Sequence, residues 1–422
     1  MLLDRLKAYP QIGRIFVQIE RYRTLGKNSL WVFAAQLLIW SGGFLLSVIY
    51  AHYLPKDSLG TLQFVFGIMG VLSLASLPGF GTAIIQSTAR GHRGTFRRGV
   101  KLSFICSVVV AFGLLVAGGW YYLAREDATL AYMFVAAGCV FPFYTGLTLW
   151  RSDATGLRRY SLLVLVNGVT IFISTSTAFV FLYMGYRDVP ILFLISTLTI
   201  SICNIVMSVL ALREVPPDAE PEPGSVKYGV STTLYSAVNN VGNHADSILL
   251  FTFLSPEAVA VYYIANRIPE LFKDFFQQLR NVLIPELAKK SRLTLALKRK
   301  LNLLSLALFV FSLCIIAVLP FAFRVIYPEG YANSVIYCQL IMLSVAFANF
   351  TIIQKSFIEA RLDRISIRNI TLISSSCRLV LSVVLVPFYG IAGAVGSTIV
   401  YRLIAFGYVN YLVRRAAARD EG

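Results

Sequence analysis

The chain has 422 residues, of which 57% are hydrophobic and only 14% charged, with a net charge of +17 at pH 7. Together with a mean hydropathy of +0.70, this excludes a water-soluble globular protein, whose charged fraction lies near 25%. It also excludes nucleic acid as the partner of the positive charge, because Lys and Arg gather in short connections between apolar runs instead of on one surface.

Residues 1–28 contain no apolar core of a cleavable signal peptide. Within them, LDRLKAYPQIGRIFVQIERYR (3–23) reads as a basic amphipathic strip lying on membrane lipid. Apolar runs long enough for a membrane helix follow near 30–53, 60–84, 99–123, 129–150, 161–184, 189–212, 228–254, 257–286, 301–323, 333–356, 367–388 and 390–413. The predicted fold is all-α, a polytopic membrane protein of twelve transmembrane helices. Of 38 Lys and Arg, 29 fall in the N-terminal segment, the alternate connections and the C-terminal tail. Only Lys56, Arg125, Arg187 and Arg324 fall in the other connections, and Arg267, Lys273, Arg280, Arg378 and Arg402 lie within spans. The positive-inside rule then places both termini in the cytoplasm and the protein in the cytoplasmic, or cell inner, membrane. Were the polar eighth run to lie flat on the surface, parity would invert and put the six basic residues of 289–300 outside.

The Pro- and Glu-rich stretch Glu214–Ser225 is the one break in composition. It divides the chain into an N-lobe (29–213, spans one to six), a flexible cytoplasmic linker (214–227), a C-lobe (228–415, spans seven to twelve) and a cytoplasmic tail (416–422). Shifting the sequence by 200 residues pairs Leu54 with Leu254, Asp57 with Glu257 and Gly60 with Ala260. A shift of 205 pairs Leu157, Arg159 and Ser161 with Leu362, Arg364 and Ser366. Two six-helix lobes related by a parallel repeat, facing each other across a midplane cavity, are the expected architecture.

The eighth run carries the most information. On a helical wheel Asn266, Arg267, Glu270, Lys273, Asp274, Gln277, Gln278, Arg280 and Asn281 share an arc of about 160°, opposite a wholly apolar face. Charges within a span face protein or water, since exposing one to hydrocarbon costs from roughly 3 kcal/mol upward. A hydrophilic path is therefore expected along this helix. Pro269 bends it either as a hinge or as a static kink.

The seventh run adds Asn239, Asn240, Asn243, His244 and Asp246. Counted by helical rise from the shared connection, Asp246 lies about 12 Å deep and Arg267 about 15 Å. An ion pair between them is expected, either to neutralise buried charge or to be broken when a charged ligand arrives. Arg378 and Arg402 lie about 15 Å from the nearest face, too deep to snorkel. With Arg267 and Lys273 they form a cationic set suited to pyrophosphate, unless they pair with backbone carbonyls or Glu270. Asp246, Glu270 and Asp274 are the candidates for coupling to H+ or Na+. Asn239, Asn243, His244 and Gln277 complete the polar lining, and His244 reads as a packing residue or a proton relay.

The six cysteines sit in or beside apolar runs and read as small apolar residues. The sequence contains no P-loop, no GxSxG and no metal-ligand spacing, so neither enzyme activity nor a cofactor or metal is expected.

LGKNSLWVFAAQLLIWSGGFLLSVIYAHYLPKDSLGTLQFV resembles the first spans of Wzx-type polysaccharide flippases, and YYIANRIPELFKDFFQQLRNVLIPELAK resembles the eighth span of the MurJ-like lipid II flippases. Both groups belong to the multidrug/oligosaccharidyl-lipid/polysaccharide (MOP) exporter superfamily. The resemblance implies translocation of an undecaprenyl-pyrophosphate-linked oligosaccharide unit for surface polysaccharide such as O-antigen or exopolysaccharide, by alternating access of two lobes beside a polymerase machinery. It makes Arg267, in the stretch Tyr263-Ile264-Ala265-Asn266-Arg267, the first expected pyrophosphate contact. The chain departs from the lipid II flippases in having no arginine in its first two spans and in ending after twelve spans rather than fourteen. Both departures favour a polysaccharide-unit flippase. A MATE-like drug or cation antiporter of the same superfamily is the alternative.

Overall fold

Apolar runs without strand-like alternation satisfy their backbone polar groups locally, and every regular element described here is helical. The structure is a computed structural model that describes the backbone of residues 36–288, 295–360 and 364–421. Side chains are described for 36–277, 299–300, 302–349, 351 and 369–413. The strip at 3–23, residues 289–294 of the basic connector, and the side chains of Gln278, Arg280, Asn281 and the 416–422 tail lie outside the described residues.

The helices are α1 (residues 36–53), α2 (Lys56–Leu72), α3 (Phe80–Ala89), α4 (Gly94–Ala124), α5 (Ala128–Tyr144), α6 (Trp150–Gly156) and α7 (Tyr160–Tyr183). They continue with α8 (Val189–Arg213), α9 (Ser225–Phe253), α10 (Pro256–Ala288), α11 (Leu295–Ile326), α12 (Ser334–Ala360) and α13 (Arg364–Glu421). The last is two helical segments divided at Gly390, where φ is 57°. Asp127 and Asp188 cap α5 and α8 by accepting from the Leu130 and Ile191 amides, at 3.0 and 3.2 Å.

Two expected spans are interrupted. The second passes from α2 through a 3-10 turn and breaks at Leu77, whose φ is 54°. Pro78 and Gly79 follow, an imino acid without an amide proton and a residue that gives the backbone latitude. The fourth ends at Tyr144, two residues past Pro142. Its loosened backbone is taken up by Asn204 of α8, whose amide donates to the Phe143 and Tyr144 carbonyls while its oxygen accepts from Trp150 Nε1 at 3.1 Å. The helix does not end at Pro269, and α10 runs on to Ala288.

Among the described residues, six helical segments are long and apolar enough to cross a membrane, among them Gly94–Ala124, Val189–Arg213 and Asn369–Val413. Large apolar side chains project outward from them, including Phe112 at 70%, Phe172 at 72% and Phe321 at 72% exposure. Such a surface requires lipid around it. The protein is a multi-pass membrane protein.

The connections sort to two ends. At one end Arg93 pairs with Asp153 and Glu214, Arg159 pairs with Glu214, and Arg90 pairs with Glu222. Arg97 donates to the Val215, Pro216 and Pro217 carbonyls, and the Glu222 amide donates to Thr95. Three alternate connections thus meet on a basic face. Within the 214–227 linker, Glu214, Glu222 and the carbonyls of Val215, Pro216 and Pro217 supply these arginines with acceptors. At the opposite end Lys56 lies over the Tyr331 ring, and Gly60 meets the Pro256 carbonyl so closely that a Cβ would fall on it.

Helices α2 to α8 form one packed group, with α4 on α5, α5 on α8 and α7 on α8; α9 to α13 form another, with α10 on α12 and α9 and α12 on α13. The groups join where α2 packs on α9 and α10, with Phe64 stacked on Phe251 at 3.8 Å between centroids, and where α3 packs on α9, with the Gly79 amide donating to Thr233 at 3.0 Å.

Candidate functional site

Helix α10 presents its apolar arc inward, with Val259, Ala260, Ile264 and Ala265 fully buried. Its polar arc is only part-covered: side-chain exposure is 25% for Arg267, 40% for Glu270, 32% for Lys273 and 41% for Asp274, and Gln277 is exposed. Opposite it, α1 is tightly packed near Ser47 and Tyr50 but open at residues 37–39 and 41. The two helices meet at Arg267 and Gly43, and Trp40 of α1 faces Asp274 farther along, so the part-exposed arc of α10 lies along a shallow wedge beside α1. The polar arc of α10 lines the wedge between them, as charges in a membrane require.

The closed end of that wedge is a seam. Arg267 Nη2 donates to the Gly43 carbonyl of α1 at 2.9 Å, and its Nη1 lies 3.5 Å from Glu270. The guanidinium sits over the Tyr263 ring, 5.2 Å from its centroid. The other Glu270 oxygen accepts from Asn266 at 2.8 Å. Farther along, the Ser47 and Tyr327 hydroxyls meet at 3.3 Å. On the neighbouring contact between α2 and α9, the Asn240 amide donates to the Gly70 carbonyl at 3.2 Å and the His244 ring packs where a side chain on Gly70 would otherwise sit.

The expected pairing of Asp246 with Arg267 is not what the structure shows. Asp246 is 1% exposed and faces α13, where its Oδ2 accepts from Arg378 at 2.9 Å and from the Tyr262 hydroxyl at 2.8 Å. Its Oδ1 accepts from Ser382 at 2.7 Å, and Ser382 bonds in turn to Ser397 at 2.9 Å. Arg378 also donates to Asn243 at 2.8 Å. Helical rise places Asp246 and Arg267 at similar depth but says nothing of azimuth, and they point toward different neighbours. The cluster ties α9, α10 and α13 together and satisfies a buried carboxylate with a cation and two hydroxyls.

Arg402 is 8% exposed and has no carboxylate partner among the described residues. Its Nη1 donates to Ser344 at 2.6 Å and to the Ile341 carbonyl at 3.4 Å, and its Nε donates to the Tyr401 hydroxyl at 3.2 Å. The Tyr401 ring lies between two guanidinium groups, 5.4 Å from Arg378 and 5.8 Å from Arg402. Arg402, Tyr401, Lys273, Gln277 and Asn239 line one cavity of about 210 Å³ in the half of this group nearer the basic face.

Of the cationic set, then, Arg402 and Lys273 share a cavity, Arg378 is spent on Asp246, and Arg267 bridges to α1. Glu270 and Asp274 stay on the wedge, where Asp274 lies 4.0 Å from Lys273. Tyr262, Ser382 and Tyr401 escaped the sequence reading because hydroxyl-bearing residues are ordinary in apolar spans. The adjacency of Tyr401 to Arg402 and the serine run 374–376 were the available signals. Among the described residues no group of His, Cys, Asp and Glu is arranged to hold a metal.

The sequence profile of a family described as polysaccharide biosynthesis protein matches residues 25–291. No curated protein matches the chain in sequence. Among solved structures, an inward-facing multidrug resistance MATE family transporter of the MOP superfamily superposes with a TM-score of 0.67 at 14% identity, covering 92% of this chain and 98% of the other. The lipid II flippase MurJ in an inward closed conformation gives 0.67 at 14% identity, covering 91% and 87%. An outward-facing MATE transporter gives 0.59 at 17% identity, covering 93% and 94%. At these identities the likeness is one of fold, and the fold is that of MOP-superfamily transporters.

Proposed function

Because the chain belongs to the polysaccharide biosynthesis protein family, matched over residues 25–291, we propose that it is a flippase for a polyprenyl-pyrophosphate-linked oligosaccharide. The observation that carries this reading is the part-exposed polar arc of α10, joined to α1 at Arg267 and Gly43 and running from there toward the basic face. With the basic face cytoplasmic by the positive-inside rule, the wedge admits a headgroup from the inner leaflet. The sugar occupies the wet arc of α10, the phosphates meet cations, and the polyprenyl chain stays in lipid between the lobes. Opening the seam and closing the basic end would release the headgroup on the other side, and packed interfaces of this kind switch between discrete arrangements.

The part-exposed carboxylates of Glu270 and Asp274 favour a second reading, a cation or drug antiporter, in which they bind the cation and couple it to H+ or Na+. Deleting the gene in its host separates the two. The flippase reading expects loss of surface polysaccharide and accumulation of lipid-linked units, with unchanged sensitivity to cationic drugs. Drug hypersensitivity with normal polysaccharide overturns it.

A further inference from the structure

We infer that the cavity walled by α9, α10, α12 and α13 is an oxyanion subsite that takes the pyrophosphate of the lipid carrier, an inference that rests on the flippase reading. Two cations line it, Arg402 and Lys273, and no carboxylate stands among its described lining residues. The rest of its polar wall is hydroxyl and amide, from Asn239, Thr351, Ser374 and Tyr401. Ser374 and Ser375 already donate to the Ile370 carbonyl and to Asn239, so the donors turned to an anion are chiefly the two cations, Gln277 and Thr351, and a buried guanidinium makes such bonds short and charge-assisted.

Two further observations point to a ligand. The Thr351 hydroxyl is buried without a hydrogen-bond partner among the described residues, a condition a bound acceptor would relieve. Arg402, at 8% exposure, is held in place by Ser344 and Tyr401 but carries no counter-charge among the described residues. A buried cation left unneutralised is costly, and an incoming anion removes that cost.

The cavity volume of about 210 Å³ falls below the roughly 300–1,000 Å³ of sites for drug-sized ligands. It suits a phosphate group and not an oligosaccharide. The division of labour follows: the sugar lies in the wedge along the polar arc of α10, while the pyrophosphate reaches past Lys273, which lines both spaces, into the second lobe. Arg378, occupied by Asp246, holds the Tyr401 ring from its other side and is a positioning residue.

The same oxyanion chemistry is carried by free pyrophosphate, the polyprenyl carrier and bulk anionic phospholipid, so the test has three arms. Calorimetry on the purified full chain in nanodiscs measures binding of inorganic pyrophosphate, its displacement by polyprenyl pyrophosphate, and its displacement by phosphatidylglycerol at equal mole fraction. Arg402→Gln and Lys273→Gln should each weaken pyrophosphate binding by about tenfold, the worth of one good charge-assisted contact. Arg125→Gln, at the opposite face, should leave it unchanged. Where Arg402→Gln does not fold, Gln277→Ala with Thr351→Val reads the same wall, with a several-fold loss expected. Wild-type affinity in folded Arg402→Gln or in the double variant overturns the subsite, as does equal displacement by phosphatidylglycerol. If pyrophosphate binding needs Arg402 and Lys273 but reconstituted protein moves no lipid-linked sugar, the subsite stands and the flippase reading falls. If Arg402→Gln moves that sugar at the wild-type rate, the subsite falls alone.

Discussion

Arg267 of α10 donates to the carbonyl of Gly43 in α1 across 2.9 Å, and α1 packs on α7 through Gly42 and Tyr53, so the most prominent charge of the polar helix bridges the two groups of helices. A side chain on Gly43 would occupy the place of the guanidinium. On the proposed flippase reading, polar groups of a headgroup lying along the arc of α10 compete with that carbonyl for the same donor. Substrate arrival therefore has a route to loosening the seam.

Replacing Arg267 by Ala should weaken the closed seam by about 1.5–3 kcal/mol, the range for a hydrogen bond to a charged group. The measurement is labelling of a cysteine placed at Ser47 by a membrane-impermeant thiol reagent added from the face opposite the basic one. Faster labelling in Arg267→Ala than in the otherwise identical parent is the expected outcome, and equal rates would remove Arg267 from the seam.

Removing one member of the Asp246 and Arg378 pair leaves a buried charge uncompensated, at a cost of about 3–5 kcal/mol. Thermal unfolding in detergent should show a large drop for Asp246→Ala and for Arg378→Ala. Asp246→Asn combined with Arg378→Gln should recover most of it. A double variant as unstable as the singles would mean that the charges themselves, and not their balance, hold α9 to α13.

The 214–222 segment on the basic face should respond to acid. Hydrogen bonding to Arg159, followed by the charges of Arg159 and Arg93, holds the Glu214 carboxyl below its ordinary range. A carboxylate depressed in the folded state contributes stability above its unfolded pKa of roughly 4.3, and that contribution is lost as pH falls through the lower folded value. Since the pair is 46% and 43% exposed, the effect is at most about 1 kcal/mol. Glu214→Gln should flatten the acid limb of the stability profile below about pH 4 and leave neutral stability within that margin.

Gly60 packs against the Pro256 backbone with no room for a Cβ. Gly60→Val should therefore force α2 away from α10 and shift the protein from its closed seam, read as a higher labelling rate at the Ser47 cysteine with helicity retained. An unchanged rate would place the seam's strength elsewhere.

Much of this was legible in the sequence. The alternation of Lys and Arg along the connections corresponds to two ends that the described contacts do not mix: Arg90, Arg93 and Arg159 meet the 214–222 segment, and Lys56 meets Tyr331. The polar arc of α10 was readable because a 100° step places Arg267, Glu270, Lys273 and Asp274 on one side. The partner of Asp246 was not readable, since depth along a helix follows from counting while direction depends on neighbours brought close by tertiary packing. The breaks at Leu77 and after Tyr144 were masked by hydropathy, which is blind to backbone geometry. Pro78, Gly79 and Pro142 were their only traces. The contacts of the 214–222 segment were not readable, because composition does not reveal that Arg90, Arg93, Arg97 and Arg159 lie against it.

The most direct measurement reconstitutes the purified protein in vesicles with a fluorescent polyprenyl-pyrophosphate oligosaccharide and follows the headgroup's exposure to a membrane-impermeant quencher. The protein carries Lys56→Cys and Gly330→Cys, neighbours across the end opposite the basic face, for a short bis-thiol linker, in a background where its six native cysteines are replaced. Unlinked protein should equilibrate the headgroup between leaflets faster than empty vesicles do. Linked protein, its seam unable to open, should not. Equal rates in empty and protein-containing vesicles, or in linked and unlinked protein, would contradict translocation through an opening of the seam.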